Sequence, residues 1–261
     1  QEKQLESTLG RDKYRIYGEL LQAYGYNVEE GATSITVPNF YDNNNNINIP
    51  LKNDLSPLEN ANAYFKKYNK LKRTFESVSE LVEETKNEID ALRSIFNSLE
   101  ISENEEDLSE IREELHSLGY IKKNSKEKLS KTPKPMHYIS SNGFDIFVGK
   151  NNYQNEYVTF KLAEANDWWF HAKDMPGSHV IVKTNDKELP DRTFEEAAAL
   201  AAYYSAAGNA KSDEQAKIEV DYVRRKELKK PPKANPGLVI YHTNYSLIAN
   251  TDISALKKAD E

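Results

Sequence analysis

From Ser56 to Leu99 the chain reads SPLENANAYFKKYNKLKRTFESVSELVEETKNEIDALRSIFNSL. Within it Tyr64, Tyr68, Leu71, Phe75, Val78, Val82, Ile89, Leu92, Phe96 and Leu99 step by fours and threes, with Thr85 in the one polar slot. Alternation of that kind over about five heptads is the a/d seam of a coiled coil. The start is marked too: Ser56 suits an N-cap, Pro57 the first helical position, and Glu59 completes a capping box. A helix from Pro57 to Leu99 would be roughly 60 Å long at about 1.5 Å per residue. So narrow a stripe needs a partner.

The partner is expected in the first segment, where Leu5, Leu9, Ile16, Leu20 and Tyr24 recur at compatible spacing. It is shorter than its mate, as a helix begun upstream of Gln1 would be, and the chain reads as a piece of a longer protein. Between the two, Ser34 to Val37 and Ile47 to Leu51 alternate as strands around the turn-prone Asn43 to Asn46. The expectation is a β-hairpin at the tip of an antiparallel helical arm; the alternative is that two such helices pair between chains.

A short amphipathic helix is expected from Leu108 to Leu118, stopped by Gly119. Residues 121–135, with Lys122, Lys123, Lys126, Lys128 and Lys131, read as a basic linker. From Tyr138 onward the strand candidates are Phe144–Val148, Tyr157–Phe160, Trp168–His171, Val180–Lys183, Ile218–Val223 and Leu238–Tyr241. One helix is expected among them, from Phe194 to Ala207, with Thr193 and Glu196 as a capping box and Gly208 as its stop. The predicted class is therefore α+β: an antiparallel coiled-coil arm (helices 1–25 and 57–100, hairpin 26–56), a short helix and linker (101–137), and a compact, mainly antiparallel domain (138–261).

The formal charge of −7 argues against a whole surface made for nucleic acid, so any such binding must use a local patch. The chain has no cysteine, which excludes disulfides and thiolate-ligated zinc and is compatible with a reducing cytoplasm. No apolar run approaches the roughly 20 residues that span a bilayer, and neither a signal peptide nor a membrane partner is expected.

Asp174, Ser178 and His179 tempt a hydrolase reading, but neighbours on a strand point to opposite faces, and no GxSxG, P-loop or HExxH occurs. His171 and His179 with Asp167 or Asp174 match no standard zinc spacing. The chain reads as a non-enzyme with no metal or other cofactor. Binding fits better. In Asp167–Val182 two indoles, two imidazoles, Lys173 and a Pro-Gly turn stand within sixteen positions, and such groups suit stacked bases and phosphates. By alternation Trp168 and Phe170 share one face, Trp169 and His171 the other; one face is expected to be core and the other exposed. In Gly149–Asn155, Lys150, Asn151, Asn152 and Asn155 are either turn formers or donors for phosphates and base edges. Between Asp221 and Lys233, Arg224, Arg225, Lys226, Lys229, Lys230 and Lys233 against Asp221 and Glu227 give +6 − 2 = +4, the densest cationic stretch. A charge run is most often a solvated face; here the aromatic strands beside it favour phosphate binding.

These motifs resemble the NFACT family. Val148-Gly-Lys-Asn-Asn-x-Gln-Asn155, Asp167-x-Trp-x-His-Ala-Lys-Asp-x-Pro-Gly-Ser-His-Val180, Val220-Asp-Tyr222, Lys229-Lys-Pro231 and Pro236-Gly-Leu-Val-Ile-Tyr241 are similar in order and spacing to its NFACT-R domain. Gly18-Glu-Leu-Leu21, Val37-Pro38, Ile49-Pro-Leu51, Ser56-Pro-x-x-Asn60-Ala and Tyr64–Leu71 look like its arm and middle domain. The resemblance implies ribosome quality control: binding a stalled large subunit with its peptidyl-tRNA, recruiting tRNA, and supporting C-terminal alanine tailing. It also implies that the arm tip meets the stalk base and that NFACT-R binds RNA through Lys150, Asn151, Asn152, Asn155, Trp169, His171, Lys173, Asp174, Ser178 and His179. The family's N-terminal domain, with an Asp-Arg pair tied to tRNA handling, has no counterpart in these residues, and Trp168 departs from the smaller apolar residue of many members. Other members carry the name of fibronectin-binding proteins, so a cell-surface adhesin is the alternative to a cytoplasmic, ribosome-bound factor.

Overall fold

The computed structural model describes residues 1–122, 133–209, 216–232 and 234–259. Lys123, Lys126, Lys128 and Lys131 of the linker, and Lys233, lie outside the described residues. Two compact units divide the chain, Gln1–Glu88 and Ile89–Glu261.

The first unit holds α1 (Glu2–Glu6), α2 (Asp12–Tyr24), strands β1 (Ser34–Asn39) and β2 (Asn45–Pro50), and α3 (Pro57–Glu100) as far as Glu88. The hairpin pairs Ile35 with Ile49 and Val37 with Ile47, and Asn43 and Asn44 take the left-handed backbone of its turn. The capping box forms as the sequence predicts: the Glu59 amide donates to Ser56 Oγ, and the Ser56 amide donates to Glu59 Oε2 at 2.9 Å. The helices run antiparallel. Tyr17 and Tyr14 meet Tyr64, the Arg11 guanidinium lies 4.0 Å over Phe75, and Glu2 pairs with Lys86, so partner numbers fall as α3's rise. Gly18 permits the approach, since a Cβ there would stand 2.8 Å from the Phe65 ring.

Two expectations for the arm are corrected. The first helix is broken after Glu6, with a 3₁₀ turn at Leu9–Arg11. Ser7 and Thr8 hydroxyls bond the carbonyls of Gln4 and Leu5, and Gly10 follows, which is the competition that disfavours a helix interior. Leu9 is consequently exposed and no seam residue. The α3 seam is buried at Val78 and Val82, whereas Ile89, Leu92, Phe96 and Leu99 are each at least 40% exposed. Within the second unit α3 buries the neighbouring face, Ile95, Asn97 and Ser98, and Ile101 just past its end is buried as well. Small polar side chains there make direct bonds, from Ser94 Oγ to Asn152 Oδ1 at 2.9 Å and from Asn97 Nδ2 to the Tyr204 carbonyl.

The second unit continues with α4 (Glu105–Ser117), β3 (Met136–Ile139), β4 (Asp145–Val148), α5 (Asn152–Tyr157), β5 (Trp168–Ala172), β6 (Val180–Val182), α6 (Asp191–Tyr203), α7 (Ala206–Asn209), β7 (Ile218–Arg224), β8 (Tyr245–Ala249) and β9 (Lys257–Lys258). Seven strands form one antiparallel sheet in the order β8-β7-β5-β6-β4-β3-β9. The molecule is thus α+β, with a long arm helix and antiparallel sheets. On one sheet face α6 lays its buried alanines (Ala197, Ala198, Ala201, Ala202) against Ile146, Phe170, Val180 and Val220.

Local expectations fail here where tertiary partners take over. Tyr157–Phe160 is not a strand: α5 runs into a π-helical turn, Val158–Leu162, that lays Val158 and Leu162 on the second sheet face. Leu238–Tyr241 makes only an isolated bridge, Ile240 to Lys229, while β3, β8 and β9 went unread. α6 starts at Asp191 with Pro190 as N-cap. Thr193 Oγ1 bonds Asn142 Oδ1 and Glu196 accepts from the Ser141 amide instead of forming a capping box. The helix ends at Tyr203, and Gly208 sits inside α7.

Candidate nucleic-acid interface

The β5 alternation places Trp168 and Phe170 on the α6 face and Trp169 and His171 on the other, as expected. The exposure does not follow. Phe170 is 0% exposed beneath α6, and Trp169 is only 1% exposed because the 152–162 segment and residues near Leu228, Val239 and Tyr241 cover the second face. Trp169 therefore sits in a core of Val158, Ile181, Val223 and Leu228. Its ring is stacked on His171 at 5.5 Å and meets His179 and Tyr241 edge-on or tilted at 5.1 and 5.5 Å. The expectation of an exposed indole here is corrected.

The two imidazoles touch each other, 5.4 Å between ring centroids. Burial pushes His171 down to about 4, against a smaller opposing pull from the Gly177 backbone and the cross-strand Asp221 charge. Burial, then the neighbouring His171, holds His179 well below its ordinary value. Both are neutral at pH 7 and bring no positive charge to a phosphate. His179 Nδ1 is 2.8 Å from Thr159 Oγ1, and its amide donates to Asn155 Oδ1. Ser178 is fully buried and its Oγ finds no partner among the described residues. Asp174 is exposed in the left-handed turn before Pro176, and Lys173 Nζ pairs with Glu219 at 2.7 Å.

These imidazoles bear on pH dependence. Unfolded, they take protons near pH 6.5; folded, His171 does so only near 4. Over that window the unfolded state binds more protons, so stability falls as pH drops from about 6.5 to about 4, by about 1.4 kcal/mol per pH unit per proton. Thermal unfolding of His171→Gln across the window should show a shallower slope than wild type; equal slopes would contradict the assignment.

The amide loop proves to be a docking site for α4. Asp107, Glu110 and Glu114, spaced i, i+3, i+7, share one buried face of that helix. Lys150 Nζ lies 2.6 Å from Asp107 Oδ1, with both side chains no more than 6% exposed. Asn151 Nδ2 and Gln154 Nε2 both donate to Glu110 Oε2, at 2.6 and 2.8 Å, and Asn152 Nδ2 donates to Glu114 Oε1 at 2.7 Å. Burial raises the Glu114 carboxyl, opposed by the Asn152 bond. Asn151 also caps α5 by accepting from the Gln154 amide. Gly149 is required beneath it, since a Cβ would fall 2.7 Å from the Asn155 amide nitrogen. Of the loop's donors, Lys150, Asn151 and Asn155 are buried and Asn152 is half-buried. The α4 carboxylates were missed, although three acids on one helix face beside its apolar stripe were a readable signal.

The basic stretch divides into pinned and open cations. The Arg224 guanidinium lies 4.0 Å over the Trp168 ring and donates to the Asn166 carbonyl. Arg225 Nε donates to the Thr159 carbonyl at 3.1 Å, and Lys230 pairs with Glu156 at 2.6 Å. Lys226 and Lys229 are exposed, and among the described residues neither side chain forms an ion pair. Between the groups, Asp221 accepts from Tyr241 and Ser246 hydroxyls at 2.8 and 2.6 Å, holding the segment to the sheet. The rings and the arginines do meet, but at Trp168 and not at Trp169.

Residues 1–134 match the NFACT N-terminal and middle domains, and residues 134–243 the NFACT protein RNA binding domain. The chain belongs to the NFACT family. Among its relatives, this NFACT chain is 40% identical over 254 residues to the Rqc2 homolog RqcH of Streptococcus suis, covering 95% of the chain and 44% of the relative. It is 37% identical over 262 residues to the Rqc2 homolog RqcH of Bacillus subtilis, covering 98% and 45%. The chain thus spans less than half the length of these curated relatives. A solved structure of the C-terminal part of the fibronectin/fibrinogen-binding protein from Streptococcus suis superposes with a TM-score of 0.67 at 33% identity, covering 98% of this chain and 92% of that one.

Proposed function

We propose that this NFACT chain is the RNA-binding part of a ribosome quality control factor. In this reading it binds large ribosomal subunits carrying peptidyl-tRNA, in the cytoplasm, and supports alanine tailing together with the rest of the protein. The arm tip meets the stalk base, tRNA is a further partner, and the chain binds without catalysing. The observation that carries the reading is the RNA-binding-domain match over residues 134–243, a span that includes the exposed Lys226 and Lys229. No helix among the described residues is long and apolar enough to cross a membrane.

Phosphate contacts make binding salt-dependent, each adding nearly one unit to the log–log slope. Lys226→Glu with Lys229→Glu should therefore reduce the salt slope by about 2 and weaken binding to large subunits by about tenfold or more. Both positions are exposed, so the fold is unaffected. Unchanged slope and affinity would remove the basic stretch from the interface. A second reading, adhesion, is supported by the fibronectin/fibrinogen-binding relative. Affinities for fibronectin and for large subunits measured in one buffer separate the two, and tighter fibronectin binding would favour adhesion.

A further inference from the structure

We infer that Tyr245 is the stacking platform for one unpaired nucleobase, at the open edge of the sheet. Phe170, Tyr222 and Tyr245 are direct cross-strand partners on β5, β7 and β8, so their side chains share one face. Their rings form a column: Phe170 on Tyr222 at 5.6 Å and 21°, Tyr222 on Tyr245 at 5.5 Å and 27°. Both steps are offset stacks within the favourable range.

The column runs from inside to outside. Phe170 is 0% exposed, Tyr222 is half-buried, and Tyr245 is 61% exposed on β8, which ends the sheet. Phe194 of α6 packs edge-on to Phe170 and Tyr222, at 5.6 and 5.4 Å, and closes the inner rings. Tyr222 is the one ring stacked on Tyr245 among the described residues, and the Tyr245 hydroxyl makes no hydrogen bond among them. Among the described residues no further ring continues the column beyond Tyr245.

The occupant is chosen by its surroundings. Arg224 follows Tyr222 by two positions, so it projects on the same face, with its guanidinium over Trp168. One of its five donors holds the Asn166 carbonyl, leaving others for an anion. A flat ring beside a cation fits a base with its phosphate, and every base has a π-face to offer. Two alternating β-strand steps and a ring column are a geometry that duplex RNA, whose bases are already stacked, cannot enter. The ligand is therefore single-stranded RNA or an extruded nucleotide. This rests on the RNA-binding reading but adds a site just beyond the matched residues 134–243.

The test uses the 261-residue chain with short single-stranded oligoadenylate and an RNA duplex of matched length. Tyr245→Leu keeps a strand-compatible, exposed side chain and should weaken oligoadenylate binding about 5- to 150-fold, the equivalent of one lost base stack, while leaving duplex affinity unchanged. Tyr245→Trp should bind at least as tightly as wild type, and its fluorescence should be quenched on binding. Equal affinities of Tyr245→Leu and wild type, or no quenching, overturn the inference. If Lys226→Glu/Lys229→Glu still weakens RNA binding in that case, the RNA-binding reading stands. Should wild type bind neither RNA, both fall, and a fibronectin affinity that depends on Tyr245 would assign the ring to a protein partner.

Discussion

Asp107→Asn is expected to destabilise the second unit by about 3–5 kcal/mol, because it leaves the Lys150 ammonium buried without its counter-charge. The pair is 2.6 Å apart and both side chains are almost wholly excluded from water. The amide is isosteric, and its one oxygen can keep the bond that the Glu103 amide gives to Asp107 Oδ2; its NH2 group then faces Lys150, so the counter-charge and the acceptor of the ammonium are removed together while the cap of α4 survives. The companion is Asp107→Leu with Lys150→Met, which removes both charges. Replacing a buried pair by apolar groups is often neutral, so the double variant should be more stable than Asp107→Asn. Urea unfolding followed in the far ultraviolet measures both. A single variant within about 0.5 kcal/mol of wild type would show that water reaches the pair.

Trp169→Ala should cost about 3–5 kcal/mol, the range for emptying a buried aromatic site. The ring touches Ile181, Val158 and Val223 as well as His171, His179 and Tyr241, and little of that lining can collapse into the space. RNA affinity corrected for the folded fraction should be unchanged. This differs sharply from Tyr245, whose loss is expected to spare stability and impair binding. A well-folded Trp169→Phe variant that lost RNA binding selectively would instead make the indole a contact.

The arm and its hairpin were legible because their signals are local and periodic: the seam through Val78 and Val82, the Ser56–Glu59 box, the asparagine turn. The family motifs were legible as well, and the match over both halves bears that recognition out. Burial was not. Alternation on β5 separates Trp169 from Phe170 but cannot say that a second layer covers Trp169. That layer was hidden because Tyr157-Val-Thr-Phe160 has the β-branched and aromatic composition of a strand. The Asn151-to-Gln154 cap signal before it pointed to a helix. Tyr245 escaped notice because its meaning depends on register: only pairing with Tyr222, itself paired with Phe170, turns a surface tyrosine into the end of a stack.

The acidic face of α4 also decides where this protein can be cut. A fragment begun at residue 134, where the RNA-binding-domain match starts, would strand Lys150, Asn151 and Gln154 without the carboxylates that satisfy them. Anyone wishing to transplant the sheet into another scaffold must carry Asn104 through Ser117 along with it. The natural module is thus wider than its fingerprint, and its most family-like loop is a socket for its own preceding helix.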